Sequence, residues 1–207
     1  MIAKRKIQYI LIILIAVLAL SIFFYLNIID SHNSIPQTGF TIKENGQIIN
    51  INLIHKSKKD NLIIVDVHES GKLLFTNTWP LKFEVFKIDT GDVNNDYSTD
   101  ILVGVIKSTR FDSISRKRLF IFKLFEGYIR PLWMGSRVSQ PLVDFKFFKS
   151  KSEGIVRTIE LEKDQSYLVA EYHWIGFGLG FIHYLAREKT LNQAYKILNT
   201  NYYEYKN

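Results

Sequence analysis

The stretch that decides the fold runs Asp92-Val93-Asn94-Asn95-Asp96-Tyr97-Ser98-Thr99-Asp100 and continues directly into Ile101-Leu102-Val103-Gly104-Val105. Oxygen-bearing side chains stand at positions 1, 3, 5 and 9 of this loop, and they are Asp92, Asn94, Asp96 and Asp100. A hard cation such as Ca²⁺ takes about six to eight oxygen ligands from carboxylates, amides and carbonyls. The apolar run that follows is typical of a buried strand. The stretch therefore predicts a tight cation-binding turn at the start of a β-strand.

The rest of the chain is divided into short apolar or alternating runs by Gly, Asn, Asp and Ser. Short strands separated by turn residues are typical of an all-β sandwich, barrel or propeller. The predicted strands are Gln47–His55, Leu62–Val67, Lys72–Trp79, Phe83–Ile88, Asp100–Lys107, Arg118–Leu124, Tyr128–Trp133, Leu142–Phe148, Ile155–Leu161, Tyr167–Trp174 and Leu179–Leu185. One helix is predicted, over Leu191–Leu198, where apolar residues recur at helical spacing. We therefore predict an all-β domain.

Three predicted hairpins end on a tryptophan and suggest a repeat. They are Leu62–Trp79, Arg118–Trp133 and Ile155–Trp174, so that the tryptophans are 54 and 41 residues apart. This spacing is close to the length of a four-stranded propeller blade, about 40–50 residues. After Trp133, Val143-Asp144-Phe145 is the predicted counterpart of the acidic loop. The alternative is that hairpins in any antiparallel β protein of this size end on aromatic residues.

A longer segment around the loop reads Phe86-Lys87-Ile88-Asp89-Thr90-Gly91-Asp92-Val93-Asn94-Asn95-Asp96 and, after a gap, Asp100-Ile101-Leu102-Val103-Gly104. It resembles the FG-GAP repeat of integrin-α-type β-propellers and the related bacterial VCBS-like repeats. In that family a D-x-[DN]-x-D-G-x-x-D-[IL] loop holds Ca²⁺ between neighbouring strands of a blade. The resemblance implies a structural Ca²⁺ with the side chains of Asp92, Asn94, Asp96 and Asp100 as ligands. The Ser98 carbonyl is implied as a further ligand.

The resemblance also implies antiparallel four-stranded blades in a small or open β-propeller-like array. Closed propellers have about four to eight blades, whereas the residues after the first 29 hold about three or a cramped four. An open stack of blades is therefore expected, with closure through self-association as an alternative.

One position departs from the family pattern, because Tyr97 stands where the family has glycine. A tyrosine resists a positive φ, so we expect a wider turn there and weaker ion binding. Asn95 tolerates the left-handed region and is an alternative place for the bend. An EF-hand is excluded because its twelfth position, Val103, lacks the required carboxylate. A plain Asn/Asp turn bonded to its own backbone is the alternative to a metal site.

The N-terminus has a composition of its own. Lys4, Arg5 and Lys6 precede the uncharged apolar run Ile7–Ile29. As a helix this run would be about 35 Å long, which is enough to cross the hydrocarbon core of a bilayer. A cleaved signal peptide is the alternative, although its apolar region is usually about 7–15 residues long and ends in small residues. A transmembrane signal anchor with a cytoplasmic N-terminus is therefore predicted.

These features divide the chain into an anchor over residues 1–29, a linker over 30–37 and an extracytoplasmic β domain over 38–207. The formal charge of +7 falls to +4 without the three basic residues before the apolar run. A weakly basic domain lacks the charge density of a nucleic-acid-binding protein, so no nucleic acid is expected as a partner. The absence of cysteine removes disulfides, thiolate metal sites and cysteine nucleophiles.

Basic residues concentrate in one predicted loop, which also contains Phe111. This cluster is the predicted surface for an anionic partner, and its members are Lys107, Arg110, Arg116, Lys117 and Arg118. A merely solvated hairpin loop is the alternative.

Carboxylates elsewhere in the chain give an alternative function. Glu160 and Glu162 share one face of a predicted strand, which is expected to be solvated. A glycan-acting hydrolase of the cell envelope would instead need Glu160 or Glu171 to converge with Asp144 in a cleft. Because the chain contains no recognisable catalytic motif, we expect no enzymatic activity.

The predicted function is interaction or scaffolding at the cell membrane, with the bilayer and an unidentified envelope protein or polymer as partners. A secreted soluble binding domain, released by signal cleavage, is an alternative alongside the hydrolase.

Overall fold

Twelve β-strands and one helix make up the part of the chain that the computed structural model describes, residues 38–110, 112–135, 138–150 and 153–201. The first four strands are β1 (Thr38–Glu44), β2 (Gln47–Ser57), β3 (Asp60–Glu69) and β4 (Lys72–Leu81). The next four are β5 (Glu84–Gly91), β6 (Asp100–Thr109), β7 (Asp112–Phe125) and β8 (Tyr128–Trp133). The last four are β9 (Leu142–Lys149), β10 (Gly154–Leu161), β11 (Tyr167–Trp174) and β12 (Leu179–Lys189), followed by the helix α1 (Leu191–Asn199).

Each group of four consecutive strands forms one antiparallel meander. Sheet 1 contains β1 to β4, sheet 2 contains β5 to β8 and sheet 3 contains β9 to β12, each in sequential order. The predicted all-β class with antiparallel four-stranded units is therefore confirmed. The predicted anchor and linker, residues 1–37, lie outside the described residues. Among the residues that are described, no helix has the length and apolar character needed to span a bilayer.

Every predicted strand is present, most of them a few residues longer than predicted. The predicted helix is confirmed as well, and it begins at a capping box formed by Thr190 and Gln193. One strand was missed: β1, whose sequence Thr38–Glu44 contains only two large apolar residues. β1 is held by its backbone pairing with β2 along the strand, from Thr38 opposite Leu53 to Glu44 opposite Gln47.

The tryptophan repeat was wrong for the third unit. Trp79 and Trp133 lie in the fourth strand of their sheets, whereas Trp174 lies in β11, the third strand of sheet 3. The predicted counterpart of the acidic loop was also misplaced, because Val143-Asp144-Phe145 lies inside β9. The true counterpart is the β9–β10 connection. Trp133 and Trp174 both pack against the core between sheets 2 and 3, although they lie in different strands of their sheets. The spacing of the tryptophans therefore did not follow the repeat of the strands.

Two apolar cores separate the three sheets. Inward-facing residues of sheet 1, such as Ile51 and Val65, pack against sheet 2 residues such as Val103 and Phe122. The opposite face of sheet 2 packs against sheet 3, with Phe145 at the centre. α1 covers part of the outer face of sheet 3 through Ala194 and Leu198. The central strands β6 and β10 are consequently buried on both faces over most of their length, while in β3 buried and half-buried residues alternate.

Hydrogen bonds between the sheets show which strand ends lie side by side. Asn61 Nδ2 donates to the Phe83 carbonyl over 2.6 Å, and Lys117 Nζ donates to the Val143 carbonyl over 2.9 Å. We call this end the proximal end, because β1 begins here at Thr38. The odd-numbered strands run away from it and the even-numbered strands return to it.

The opposite, distal end carries the acidic loop. The Thr99 amide donates to Glu44 Oε2 over 3.3 Å, and the Gly154 amide donates to Asn95 Oδ1 over 3.0 Å. The loop that joins β5 to β6 is therefore bonded to the β1–β2 turn of sheet 1 on one side and to the β9–β10 connection on the other.

Candidate functional site

The acidic loop folds around its own backbone amides. The Asp96 amide donates to Asp92 Oδ1 over 3.0 Å and to Asn94 Oδ1 over 3.3 Å. The Tyr97 amide donates to Asp92 Oδ2 over 3.2 Å, and the Ser98 amide donates to Asp96 Oδ1 over 3.0 Å. Three of the four predicted side-chain ligands are thus brought together around one short backbone segment.

Asp100 lies beneath the loop as the first residue of β6 and is 0% exposed. Its Oδ2 accepts a hydrogen bond of 2.9 Å from the Val93 amide, while its buried Oδ1 has no partner. Burial raises the pKa of this carboxyl to about 7, and the nearby Asp96 and Asp92 carboxylates add to the increase. Backbone amides of the loop therefore compensate a negative charge on Asp100 only in part.

The backbone of the loop is left-handed at two residues. Asn95 has φ 59° and Tyr97 has φ 66°. The expectation that a tyrosine would avoid this conformation was wrong, since Tyr97 adopts the geometry in which the family pattern has glycine. Its side chain is 91% exposed, so no packing compensates for the backbone strain.

Two lysines from neighbouring strands neutralise part of the loop. Lys123 Nζ of β7 contacts Asp96 Oδ2, and Lys149 Nζ of β9 lies 3.2 Å from Asp92 Oδ2. Burial acts to raise the pKa of Asp96, but hydrogen bonds from Lys123, Asn94 and the Ser98 amide outweigh it and the pKa is lowered. Sequence reasoning missed both lysines because they lie far from the loop along the chain.

Glu44 of sheet 1 also reaches this loop. Its Oε1 accepts from Ser98 Oγ over 3.2 Å, and its Oε2 accepts from the Thr99 amide. Ser98 Oγ also lies 3.1 Å from the Leu124 carbonyl, to which it can donate. These contacts fix the C-terminal half of the loop against sheets 1 and 2.

The donor set of the loop fits a hard cation. Carboxylate and amide oxygens are the ligands that Ca²⁺ takes, and the unpartnered Oδ1 of Asp100 is an acceptor that a cation would satisfy. Lys123 and Lys149 compete for the Asp96 and Asp92 carboxylates. Across the described part of the chain, the acidic, histidine and cysteine side chains form no group of three or more arranged to hold a metal ion. Calcium binding here would thus require the Asn94 amide and backbone carbonyls as well.

The residues considered for a hydrolase are engaged in structural contacts. The expectation of a solvated face was wrong, because Glu160 is fully buried and accepts hydrogen bonds from Thr158, Tyr172 and the Gln140 amide. Burial raises the pKa of Glu160 and these hydrogen bonds only partly oppose it. Glu162 is also buried, and its pKa is lowered by the Glu188 amide and by Arg187.

Each of the remaining two hydrolase candidates pairs with a basic side chain. Asp144 Oδ1 accepts from Lys87 Nζ over 2.9 Å, which ties sheet 3 to sheet 2. Glu171 Oε1 accepts from Arg157 Nη2 over 2.9 Å, and both side chains are almost completely buried. Glu160 shares a hydrogen-bond network with Tyr172 between the sheets rather than with either of these carboxylates.

The predicted basic cluster lies on the β6–β7 hairpin at the proximal end, with its members in different roles. Arg118 is buried, donating from Nε to the Lys107 carbonyl and from Nη2 to Asp112, each over 2.9 Å. Lys117 Nζ lies 4.5 Å from the centre of the Phe86 ring and is half-buried.

The other three cations of the cluster are placed differently. Lys107 Nζ lies 4.8 Å from the centre of the Phe83 ring. Arg110 and Arg116 are exposed, and Arg116 Nε lies 3.8 Å from Asp112 Oδ2. The hairpin therefore presents two exposed cations rather than five.

Large apolar side chains are exposed around the distal end. They occur in the β3–β4, β5–β6, β7–β8 and β11–β12 connections and the adjoining residues, and they are Leu73, Leu74, Tyr97, Phe125, Tyr128, Ile175 and Phe177. The Tyr128 ring stacks on Phe75 of sheet 1 at 5.2 Å between centroids. Sequence reasoning missed this surface because its members come from four separate turns.

A groove at the same end runs between sheets 1 and 2. Its lining includes Glu44, Phe75, Ser98, Phe125 and Gly127. The groove thus borders the acidic loop on one side and the exposed aromatic residues on the other.

No protein-family model, curated protein or solved structure matches this chain.

Proposed function

We propose that this protein is a membrane-anchored interaction domain whose distal end docks a protein partner of the cell envelope. The apolar run Ile7–Ile29 would serve as the anchor, with the N-terminus in the cytoplasm and the β domain outside it. The three sheets would be FG-GAP-like blades in an open stack. The loop between β5 and β6 would carry a structural Ca²⁺.

Tyr97 is the observation that carries this proposal. A non-glycine residue in the left-handed region costs about 1–2 kcal/mol, and the ring of Tyr97 recovers nothing because it is 91% exposed. Strained residues of this kind cluster at binding sites, where the rest of the structure maintains them. An exposed aromatic side chain is also the residue type that most often anchors a protein interface.

Other exposed aromatic residues in the distal connections support a docking role. Phe177, in the β11–β12 turn, is 84% exposed, and Phe125 and Tyr128 are exposed in the β7–β8 hairpin. Exposed apolar surface with a polar border is typical of protein interaction sites. Connecting loops in general tolerate sequence change better than the strands that support them, so partner choice would depend on the loops of this end.

The proposed Ca²⁺ would have a structural role. The Asp92, Asn94, Asp96 and Asp100 side chains with the Ser98 carbonyl would surround it, which leaves little room for a substrate. A cation would supply the positive charge that the buried Asp100 carboxylate lacks and would hold Tyr97 at the tip of the loop. The proposal therefore concerns docking and not catalysis.

The test is site-specific photocrosslinking in intact cells with the full chain. A photoreactive phenylalanine analogue is placed at Tyr97 in one strain and at Phe177 in a second. The matched control is Thr78, an exposed residue of β4 on the outer face of sheet 1. We expect one and the same crosslinked protein from the two distal positions and none of it from Thr78. Equal crosslinking at all three positions, or none at the distal two, would refute the proposal.

A further inference from the structure

We propose that the proximal end of the domain is a binding surface for anionic lipid headgroups, which keeps the distal end facing away from the membrane. This inference rests on the proposed function, because it requires an anchor before Thr38. The ligand chemistry is a phosphate-bearing lipid surface and not a folded partner.

Exposed cations come from three separate connections at the proximal end. The β2–β3 turn and its flank provide Lys56, Lys58 and Lys59, the β4–β5 link provides Lys82, and the β6–β7 hairpin provides Arg110 and Arg116. The side chains of Lys58 and Lys82 are 75% and 72% exposed. The surface is built by sheets 1 and 2 together and does not follow from any single run in the sequence.

Ion pairs show that the first two connections lie side by side. Lys58 Nζ is 3.4 Å from Glu84 Oε2, and Lys82 Nζ is 2.8 Å from Asp60 Oδ1. Exposed pairs of this kind contribute little and are screened by salt. Their ammonium groups can therefore turn towards phosphates at little cost, and Lys59 adds a further exposed charge.

The distal end lacks this excess of positive charge. Its turns contain the acidic residues Glu44, Asp92, Asp96, Glu126 and Glu153, and the basic residues beside them are Lys43, Lys72, Lys123, Arg130 and Lys149. An anionic bilayer therefore attracts the proximal end more strongly than the distal end. This difference in charge favours one orientation of the domain.

The number of residues between the proposed anchor and β1 limits how far the basic turns would lie from the membrane. Thr38 pairs with Leu53, a few residues before the β2–β3 turn. Residues 30–37 span at most about 28 Å even when fully extended. The basic turns can therefore reach the headgroup layer, where each Lys or Arg gains attraction within about one Debye length of 8–10 Å.

The absence of cysteine makes a direct test practical. Single cysteines are introduced in the full chain at Ser57, beside the basic turn, or at Ser70, in the distal β3–β4 turn, and are labelled with a fluorescent donor. The protein is reconstituted into vesicles of phosphatidylcholine alone or with phosphatidylglycerol, each with a headgroup-attached acceptor. Energy transfer then reports the distance of each end from the lipid surface.

Two triple variants provide the matched comparison. The proximal variant combines Lys56→Gln, Lys58→Gln and Lys59→Gln and removes three proximal charges. The distal variant combines Lys43→Gln, Lys72→Gln and Arg130→Gln and removes three exposed charges from strand positions near the distal end. We expect phosphatidylglycerol to increase transfer from the Ser57 label only, and 1 M salt to reverse the increase. The proximal variant should lower the ratio of docked to undocked domain by about fivefold per lysine, and the distal variant should leave it unchanged.

Several results would overturn this inference. They are transfer that is independent of lipid charge, equal responses at both labels, and equal effects of the two triple variants. If a soluble polyanion changes the energy transfer from the Ser57 label and phosphatidylglycerol does not, the surface binds an envelope polymer. That result would also overturn the inference. Flotation of the unlabelled chain with neutral vesicles tests the anchor separately, so failure of the anchor is distinguishable from failure of the lipid surface.

Discussion

Replacing Asp100 with asparagine should stabilise the protein when calcium is absent. Burial raises the pKa of this carboxyl from 3.8 to about 7, a change of about 3 units at 1.36 kcal/mol per unit. The charged form therefore costs the folded state up to about 4 kcal/mol above pH 7. Asparagine has the same shape, keeps an oxygen for the Val93 amide and directs its NH₂ group towards the neighbouring carboxylates. We expect Asp100→Asn to raise the free energy of unfolding by about 2–4 kcal/mol at pH 8 in chelator.

The pH dependence of the wild-type protein follows from the same shift. Because the folded pKa is higher than the unfolded one, the folded state binds a proton that the unfolded state has lost between about pH 4 and pH 7. This contribution to stability is fully present below pH 4 and is lost as the pH rises through 7. In chelator, wild type should therefore be more stable at pH 5 than at pH 8 with respect to this group, and Asp100→Asn should remove that difference.

Calcium should largely remove the difference in stability between the two proteins. A cation that binds only the folded state stabilises it by about 2.7 kcal/mol at a hundred times its dissociation constant. Calcium should stabilise wild type by this amount and should stabilise Asp100→Asn much less, because the variant lacks one of the proposed ligands. The measurement is urea unfolding with Ca²⁺ or chelator at both pH values. Asp66→Asn, in β3 of sheet 1, is the matched control. If Asp100→Asn is less stable than wild type in chelator, or if calcium stabilises both equally, our account of the loop is wrong.

Three further substitutions test other parts of the structure. Tyr97→Gly should raise the free energy of unfolding in chelator by about 0.5–1 kcal/mol, because it removes the left-handed strain of a residue whose side chain is not packed. Thermal unfolding measures this change. A loss of stability would show that the ring makes unrecognised contacts. Lys123→Gln should strengthen Ca²⁺ binding by about fivefold, since it releases the Asp96 carboxylate. Titration calorimetry measures the affinity, with Lys72→Gln as a control. Unchanged affinity would contradict competition between Lys123 and Ca²⁺ for Asp96. Arg157→Met should cost about 3–5 kcal/mol because it leaves Glu171 buried without its partner, and adding Glu171→Leu should recover most of the loss in urea unfolding. Equal stability of Arg157→Met and wild type would exclude this role for the pair.

The sequence predicted the strands well because alternation and turn residues are local signals. β3 alternates since one face of sheet 1 lies outside the core, and β6 is apolar from Ile101 to Ile106 since sheet 2 is buried on both faces. β1 gave no comparable signal, because Phe40 and Ile42 are its only large apolar residues. Its strand conformation depends on backbone pairing with β2, which a local pattern does not contain.

Burial of charged residues was the main point at which sequence reasoning failed. Glu160 has the period-two pattern of a solvated face, yet it is buried because Tyr172 and Thr158 supply hydrogen bonds from the same sheet. The partners of the acidic loop were missed for a similar reason. Lys123 and Lys149 approach it only because β7 and β9 lie beside it in the assembled stack. Contacts between sheets thus determine the electrostatics of the site, and they are not encoded in the spacing of the loop itself.

The two outer faces of the stack have different consequences for how such a protein can grow. α1 covers part of the outer face of sheet 3, and Arg157 holds it there by donating to the Ile197 and Thr200 carbonyls over 2.8 and 2.9 Å. Another four-stranded unit inserted after β12 would have to displace this helix and break its bonds. A unit added before β1 would meet no such helix among the described residues, where the outer face of sheet 1 carries half-buried side chains such as Ile64 and Asn52. Lengthening by gene duplication, or by design, is therefore favoured on the N-terminal side of the domain.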